Sequence, residues 1–501
     1  MTEQMTRRTL IRATAAGVAA PALISTPAAA RTRVPSPIRE LEDFIEAAME
    51  TYAVPGVSLG VWYRGREYVR GFGVTSVTGG TPVDGDHTVF RVASTTKTFT
   101  GTAVMRLVER GRIDLDRTVR SYLPDFRTAD PAASARVTVR QALNHSAGWL
   151  GDYFLDTGSD DAALARYVDD MDRVPQLTRP GRLFSYNNAA LSVTGRLLEV
   201  VTGKTYEQAI GDLLLRPVSL RRSGFDITRI AGARMAVPHV FDPEGNLVPD
   251  PARWYVPRSL HPAGGLISSA RDQIRWARFQ LGDGDGVISR RSLRLMRSRP
   301  GPGGTLFVEL DGAGVTWMIR PTAEGPKVVQ HGGDWDGQHS GFLMVPERDF
   351  ALTVMTNSDT GPALLDELFV GDWALSRFAG LHNLPAVVRP VDTTAYEGDY
   401  TLQQIGFDGE LVEASLTLRG DRGGLIAGSE GVDVLRLGLY RRDYAVVQQP
   451  DGTATPARVS FERGADGSVE WLRYGGRLLR RSAAGALRAA ARKPFTLRMP
   501  I

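Results

Sequence analysis

Strand-like alternation stands at both ends of the first 380 or so residues of this chain, with helical spacing between. Val57, Leu59 and Val61 alternate with small or polar neighbours, and Arg64-Gly65 then offers a turn before Tyr68 and Val69, so a β-hairpin is predicted over 56–74. The pattern returns in Leu306-Phe307-Val308, Val315-Thr316-Trp317-Met318, Val328-Val329, 340–345 and 351–355, each bounded by Gly, Pro or Asp. Helical spacing over 38–52 runs through Leu41, Phe44, Ile45 and Met49. Over 94–109 it places Phe99, Val104, Leu107 and Val108 on one face, with Gly111 in the stop position. Further helices fit 138–143, 160–171, 188–201, 206–215, 269–281 and 361–379. Strands from both ends have to meet to bury their apolar faces, which predicts an α+β domain over 31–385 with one antiparallel sheet flanked by helices.

At 501 residues the chain exceeds one ordinary domain. Pro385 to Pro390 has linker composition, and short alternating runs follow at 396–402, 411–418, 432–439, 444–448, 458–462 and 469–474. They predict a small antiparallel β-domain over 391–482, of barrel type, before a basic tail over 483–501.

The first 30 residues carry Arg7-Arg8 and Arg12, then an alanine-rich run ending in Ala28-Ala29-Ala30, the layout of an export signal of twin-arginine type. That segment also accounts for half of the small net charge of +4, and no basic stripe interleaved with aromatics remains, so nucleic acid is not an expected partner. No stretch is long and apolar enough to span a membrane. The absence of cysteine excludes disulfides, thiolate nucleophiles and zinc–thiolate sites. His87, His145, His239, His261, His339 and His382 have no metal-ligand spacing, and no phosphate or dinucleotide fingerprint occurs, so neither metal nor cofactor is expected.

Three short elements carry chemistry. In Ser94-Thr95-Thr96-Lys97 the first and last residues stand three apart, on one side of a helix, so the hydroxyl and the amine can meet. Serine is a poor nucleophile without a base, and a lysine serves as one when burial lowers its pKa, whereas arginine cannot. Lysine is scarce here, at positions 97, 204, 327 and 493 among 60 basic residues, which sharpens the signal. Phe184-Ser185-Tyr186-Asn187-Asn188 offers a tyrosine to move a proton to a leaving group, and Asn188 to contact a substrate carbonyl or fix Lys97. His331-Gly332-Gly333 follows Val328-Val329 at the end of a strand, where the glycines would let a substrate backbone lie alongside and His331 would be a switchable donor to a substrate carboxylate or leaving group. The N–H groups of Ser94 and Asp334 would form an oxyanion hole.

In order and spacing these elements resemble those of the penicillin-binding-protein-like serine hydrolases, which include class C β-lactamases, DD-peptidases, D-amino-acid peptidases and esterases. The resemblance covers about residues 38–380 and extends to Phe90-Arg91-Val92-Ala93, Leu143-Asn144-His145-Ser146-Ala147-Gly148, Pro262-Ala263-Gly264-Gly265-Leu266 and Ser340-Gly341-Phe342. It implies a β-lactamase/transpeptidase-like domain with a helical subdomain, Ser94 as nucleophile, Lys97 as base, Tyr186 as base or acid, and Asn188 and His331 on the substrate. It further implies an acyl-enzyme formed on amide, D-amino-acid-type peptide or ester bonds of a small molecule or short peptide, such as a cell-wall peptide. β-Lactam hydrolysis, transacylation or peptide cyclisation, and penicillin or cell-wall binding without turnover are the alternatives. Y-x-N and H-G-G stand here where the penicillin-recognising set has S-D-N and K-T-G, and a histidine lacks the permanent cation that holds a β-lactam carboxylate, which ranks lactams below peptides and esters. The C-terminal strands, opening with Tyr396-Glu397-Gly398-Asp399-Tyr400, are similar to the lipocalin-like appendage of some family members, and such an appendage would cover the cleft.

Overall fold

A computed structural model describes residues 34–482 apart from Arg299 and Glu430. The export segment and the basic tail read from the sequence lie outside the described residues. The hairpin forms as its pattern requires: strands Gly56–Tyr63 and Arg66–Gly73 are joined at Arg64-Gly65, both left-handed with φ of 52° and 73°. Strand Gly56–Tyr63 pairs on its other edge with Phe350–Thr356, with Leu59 opposite Val354, so the two ends of the domain do share one antiparallel sheet. Across that sheet the order runs 312–313, 318–320, 328–330, 338–345, 350–356, 56–63, 66–73. Phe350–Thr356 is buried at every position because helices cover both faces, which explains a continuous apolar run where a one-sided strand would alternate.

On one face lies helix Ser36–Tyr52, whose Leu41 and Ile45 pack with Leu364, Leu365 and Leu368. On the other lies helix Ala270–Leu281, approaching so closely at Ile274 that a Cβ on Gly60 would come within 2.5 Å of it. Its Trp276 stacks on Phe99, ring centroids 4.0 Å apart and 12° from parallel, which seats helix Thr96–Glu109 between the sheet and the helical subdomain.

Three expectations change. Leu306-Phe307-Val308 is not one strand but a tight hairpin of Gly304–Leu306 and Val308–Leu310, turning at Phe307 (φ 53°). Phe307 spends its carbonyl on the N–H of Arg458 in the C-terminal domain, a tertiary bond that no local pattern reveals. The strand expected from Val315 begins only at Met318, since left-handed Thr316 (φ 62°) donates its N–H to the Leu143 carbonyl. The helix over 361–379 breaks into Gly361–Leu365, a wide turn Asp366–Val370, and Trp373–Ala379. Buried Arg320 accounts for the break by donating to the freed carbonyls of Val370 (3.0 Å) and Gly371 (3.1 Å).

The C-terminal unit is a closed antiparallel barrel of eight strands, in sequence order, from Gly398–Ile405 to Arg477–Arg481, which close on each other at Tyr400 and Arg481. Two strands escaped the sequence pattern: Gly424–Ser429 is interrupted by glycine, and Arg477–Arg481, at the end of the expected β-domain, carries arginine at three of its five positions. Tyr400, Leu416, Phe461 and Leu472 belong to the cluster that fills the interior. No described helix is long and apolar enough to cross a membrane.

Candidate active site

Ser94 lies in a short 3₁₀ turn, Ala93–Thr95, that runs directly into helix Thr96–Glu109. Ala93 is left-handed (φ 42°), a strained conformation for a residue with a side chain, held by its neighbours. Thr95 Oγ1 donates to the His331 carbonyl and meets Ser340 Oγ at 3.0 Å, while Thr96 Oγ1 accepts the Leu266 N–H at 3.0 Å. The two threonines inside the S-x-x-K run thus anchor the turn on both sides.

Lys97 Nζ lies 2.9 Å from Ser94 Oγ and donates to the Ala263 carbonyl at 2.7 Å. The lysine is fully buried, and desolvation first, then the Arg477 guanidinium, push its pKa well below the ordinary lysine range, against the pull of Asp152. A neutral amine that spends one hydrogen on Ala263 keeps its lone pair for the Ser94 proton. Across the turn, Tyr186 lines the same cavity as Ser94, its phenol close enough to act on the serine side chain. Burial drives this phenol above its ordinary pKa, so it stays protonated and able to donate. Its ring is wedged between His145, stacked at 4.7 Å, and the Arg477 guanidinium, 4.6 Å from the ring centroid. His145 accepts the Asn187 N–H on Nδ1 at 2.9 Å, and burial holds its pKa well below normal, so it supports the tyrosine as a neutral ring.

Strand Gly333–Trp335 forms the opposite wall. The register on 338–345 is continuous from Val329↔Met344 to Trp335↔Gln338, and His331 N–H bonds Phe342 O, so residues 331, 333 and 335 bond that partner while the Asp334 N–H points to the free edge. A Cβ on Gly333 would come within 2.2 Å of Val92 O and 2.8 Å of Ser94 N, so only glycine lets this edge approach the serine turn. Ser94 and Asp334 both line a cavity of about 330 Å³, the arrangement an oxyanion hole needs.

Two expectations about side chains are corrected. His331 does not line the cavity; its ring is 2% exposed, 6.1 Å from that of Tyr186 between centroids, with Nδ1 donating to Gly332 O at 2.7 Å. Burial, then the nearby Lys97, bring its pKa down to about 3, so it is a neutral ring rather than a switchable donor, and the wall contact passes to Asp334, Trp335 and Asp336. Nor do Gly332 and Gly333 line the cavity. Asn188 does, but its amide donates to Asp152 at 2.8 Å, and the carbonyl that fixes Lys97 is that of Ala263. The sequence also holds a G-x-S-x-G run, Gly56-Val57-Ser58-Leu59-Gly60, the form of an α/β-hydrolase elbow. Ser58 is fully buried in mid-strand, opposite Met355 and Gly71, and is no nucleophile.

The C-terminal barrel completes the cavity. Leu402, Phe407, Tyr474 and Arg477 line it opposite Phe154, Val256 and Leu260. Arg477 Nε donates to Asp152 Oδ2 at 2.9 Å, so Asp152 bridges barrel and catalytic domain. Neither residue stands out in sequence; the Gly475-Gly476 turn between two strands is the one local cue that a hairpin tip lies there. Among the described residues no cluster of His, Asp and Glu could hold a metal ion.

A beta-lactamase family model matches residues 41–372. The chain belongs to the beta-lactamase family. Within that family it is 32% identical over 368 residues to penicillin-binding protein 4 of Amycolatopsis lactamdurans, covering 72% of this chain and 96% of the relative. SurE, solved with D-Leu, matches at a TM-score of 0.68 and 26% identity over 89% of this chain and 100% of that one. That share is larger than the residues before the barrel can supply, so the likeness extends into the barrel. D-amino acid amidase from Ochrobactrum anthropi SV3, complexed with D-phenylalanine, shares the fold at a TM-score of 0.56 and 21% identity, over 68% of this chain and 98% of that one.

Proposed function

We propose that this beta-lactamase-family protein is an exported serine hydrolase that forms an acyl-enzyme on Ser94 and acts on amide, D-amino-acid-type peptide or ester bonds. The observation that carries the reading is the 2.9 Å approach of a fully buried lysine amine to the Ser94 hydroxyl. Lys97 takes the Ser94 proton as Oγ bonds the substrate carbonyl carbon; the oxyanion settles on the N–H groups of Ser94 and Asp334. The bond to the leaving amine or alcohol breaks as Tyr186 gives it a proton, which Lys97 returns to the phenol. Water, deprotonated through the same groups, then releases the acyl group and restores the Ser94 hydroxyl.

Apolar Phe154, Val256, Leu260 and Phe407 suit an apolar substrate side chain. The two structural relatives solved with D-Leu and D-phenylalanine support a D-residue near the scissile bond. A His331 ring held neutral offers no cation for a β-lactam carboxylate, which favours peptides and esters over lactams. The Arg7-Arg8 pair and the alanine run of the first 30 residues support export.

Intact mass after incubation with a fluorophosphonate tests the nucleophile: one adduct is expected on the wild type and none on Ser94→Ala. An adduct that persists in Ser94→Ala overturns the assignment. Product analysis on D-Ala-D-Ala peptides, D-amino-acid amides, short acyl esters and nitrocefin, with and without excess amine, separates hydrolysis from transacylation and from binding without turnover.

A further inference from the structure

One hairpin tip of the barrel, Tyr474-Gly475-Gly476-Arg477, between strands Val469–Tyr474 and Arg477–Arg481, reaches the catalytic centre. Gly475 and Gly476 are both left-handed, with φ of 53° and 76°. On one side of the tip Arg473 Nε donates to Phe184 O at 2.9 Å; on the other, Gly476 O accepts the Tyr186 N–H at 2.8 Å. The tip therefore clasps the segment that carries the phenol.

Arg477 leads from that tip into the site. Its Nε and Nη2 donate to the two oxygens of Asp152 at 2.9 and 3.3 Å, its Nη1 donates to Gly475 O at 2.9 Å, and only 14% of its side chain is exposed. Asp152 in turn accepts from Asn188 and, through its main-chain carbonyl, from the N–H of Ile405 in the barrel. A buried arginine usually has a local structural reason, such as the carbonyls that hold Arg320. Arg477 instead lies over the ring of Tyr186, in the cavity that Ser94 also lines.

We propose that Arg477 is a positioning residue of the active site, delivered by the C-terminal barrel: locked to Asp152, its guanidinium fixes Tyr186 and keeps a second positive charge from settling on Lys97. This rests on the serine-hydrolase reading of Ser94. Besides the Ala263 carbonyl, the groups acting on Lys97 are Ser94 and Tyr186 at its tip, the neutral imidazoles of His145 and His331, and the Asp152–Arg477 pair. Within that pair the guanidinium acts on the amine more strongly than the carboxylate does. The Asp334 carboxylate, which also acts on Tyr186 and Arg477, is itself paired with His339. On this view the barrel is part of the catalytic unit rather than a tether.

The test follows phosphonylation of Ser94 in the full-length protein by a fluorophosphonate, which stands in for acylation as fluoride leaves, timed by intact mass across a pH series, with thermal melting as the control for folding. Arg477→Met keeps the aliphatic stem and is expected to slow acylation at neutral pH about 100-fold. The same variant should move the ascending limb of the pH profile about one unit to higher pH, because Lys97 then holds its proton longer. Arg477→Lys should return the limb towards the wild-type position while leaving the rate low, since an ammonium cannot form the two-pronged bond to Asp152. Asp152→Asn, which leaves the cation uncompensated, should move the limb the other way, and it serves in place of Arg477→Met if that variant fails to fold. A limb that stays in place in the folded variants overturns the inference, even if the rate falls, since slowing alone is what a merely structural arginine would produce. Absence of acylation in the wild type would overturn the serine-hydrolase reading and this inference together.

Discussion

The main-chain N–H of Tyr186 bonds the carbonyl of Gly476, 2.8 Å away in the C-terminal barrel, while the flanking N–H groups of Ser185 and Asn187 both go to His145, one to its carbonyl and one to its ring. The segment bearing the phenol is therefore held between two domains, and its position depends on the barrel tip. Gly476 has φ of 76°, and a Cβ there would come within 2.7 Å of Leu306 Cδ1 and 3.2 Å of Tyr186 Cβ. Gly476→Ala should cost about 1–3 kcal/mol of stability through strain and overpacking. Acylation of Ser94 should slow as well, and chemical denaturation together with timed intact mass checks both. A variant slowed in neither respect would mean that the tip does not constrain Tyr186.

Lys97 is the residue whose chemistry no other side chain supplies. Lys97→Met keeps a similar volume, removes the base and relieves a buried amine, so acylation should fall on the order of 10³-fold with the melting temperature unchanged or raised. Lys97→Arg should be as inactive, because a guanidinium does not give up its proton near neutrality. In the wild type the active form is the unprotonated amine, so acylation should rise with pH through a limb lying well below the ordinary lysine range. A limb near that ordinary range would remove Lys97 from the role of base.

The serine, the lysine and the tyrosine were legible because their chemistry depends on side-chain type and short spacing: Ser94 and Lys97 meet by helical geometry alone. The sheet was legible for a similar reason, since strands 56–63 and 350–356 each advertise their burial. What pins the site was not. Ala263 contributes a carbonyl that every residue owns, and Arg477 is one arginine among dozens, distinguished only by where barrel closure places it. His331 misled because a histidine after a strand suggests a titratable donor, whereas burial holds it neutral. The barrel strand Arg477–Arg481 failed to register since arginine at three of its five positions masks the alternation: Arg477 turns to Asp152, Arg480 lies over Trp471 and Arg481 bonds the carbonyls of Ala395 and Glu397.

Tyr186→Phe keeps the ring that stacks on His145 and faces Arg477 but deletes the hydroxyl that shares the cavity with Ser94. Stability should change by less than about 1 kcal/mol, because the ring packing stays and no more than one hydrogen bond's net worth can be lost. Turnover of any accepted amide should drop about 100-fold, and an aryl ester, whose leaving group needs no proton, should lose far less. Comparing kcat/KM of the variant on an amide and on an aryl ester checks this, and an equal loss on both would take the leaving-group proton away from Tyr186.

His339 ties the oxyanion strand to the sheet. Its ring is buried, ion-paired with Asp334, and lies 3.9 Å from Asp359. These carboxylates outweigh desolvation and raise its pKa to about 9. Because the folded value stands above the unfolded one of about 6.5, the stabilisation is complete below about pH 6.5 and is lost as the pH rises through about 9. Asp366, pushed up to about 7 by burial beside Asp334, loses its proton mostly before that window closes, so the upper part of the window reports His339. Wild type should therefore lose on the order of 2–3 kcal/mol between about pH 6.5 and pH 9.5, and His339→Gln, which cannot carry the charge, should lose much less. Denaturant midpoints of the two proteins across that range check the difference. Parallel pH profiles would show that the imidazole is not charged in the folded protein, and that Asp334 owes its place on the cavity wall to the strand alone.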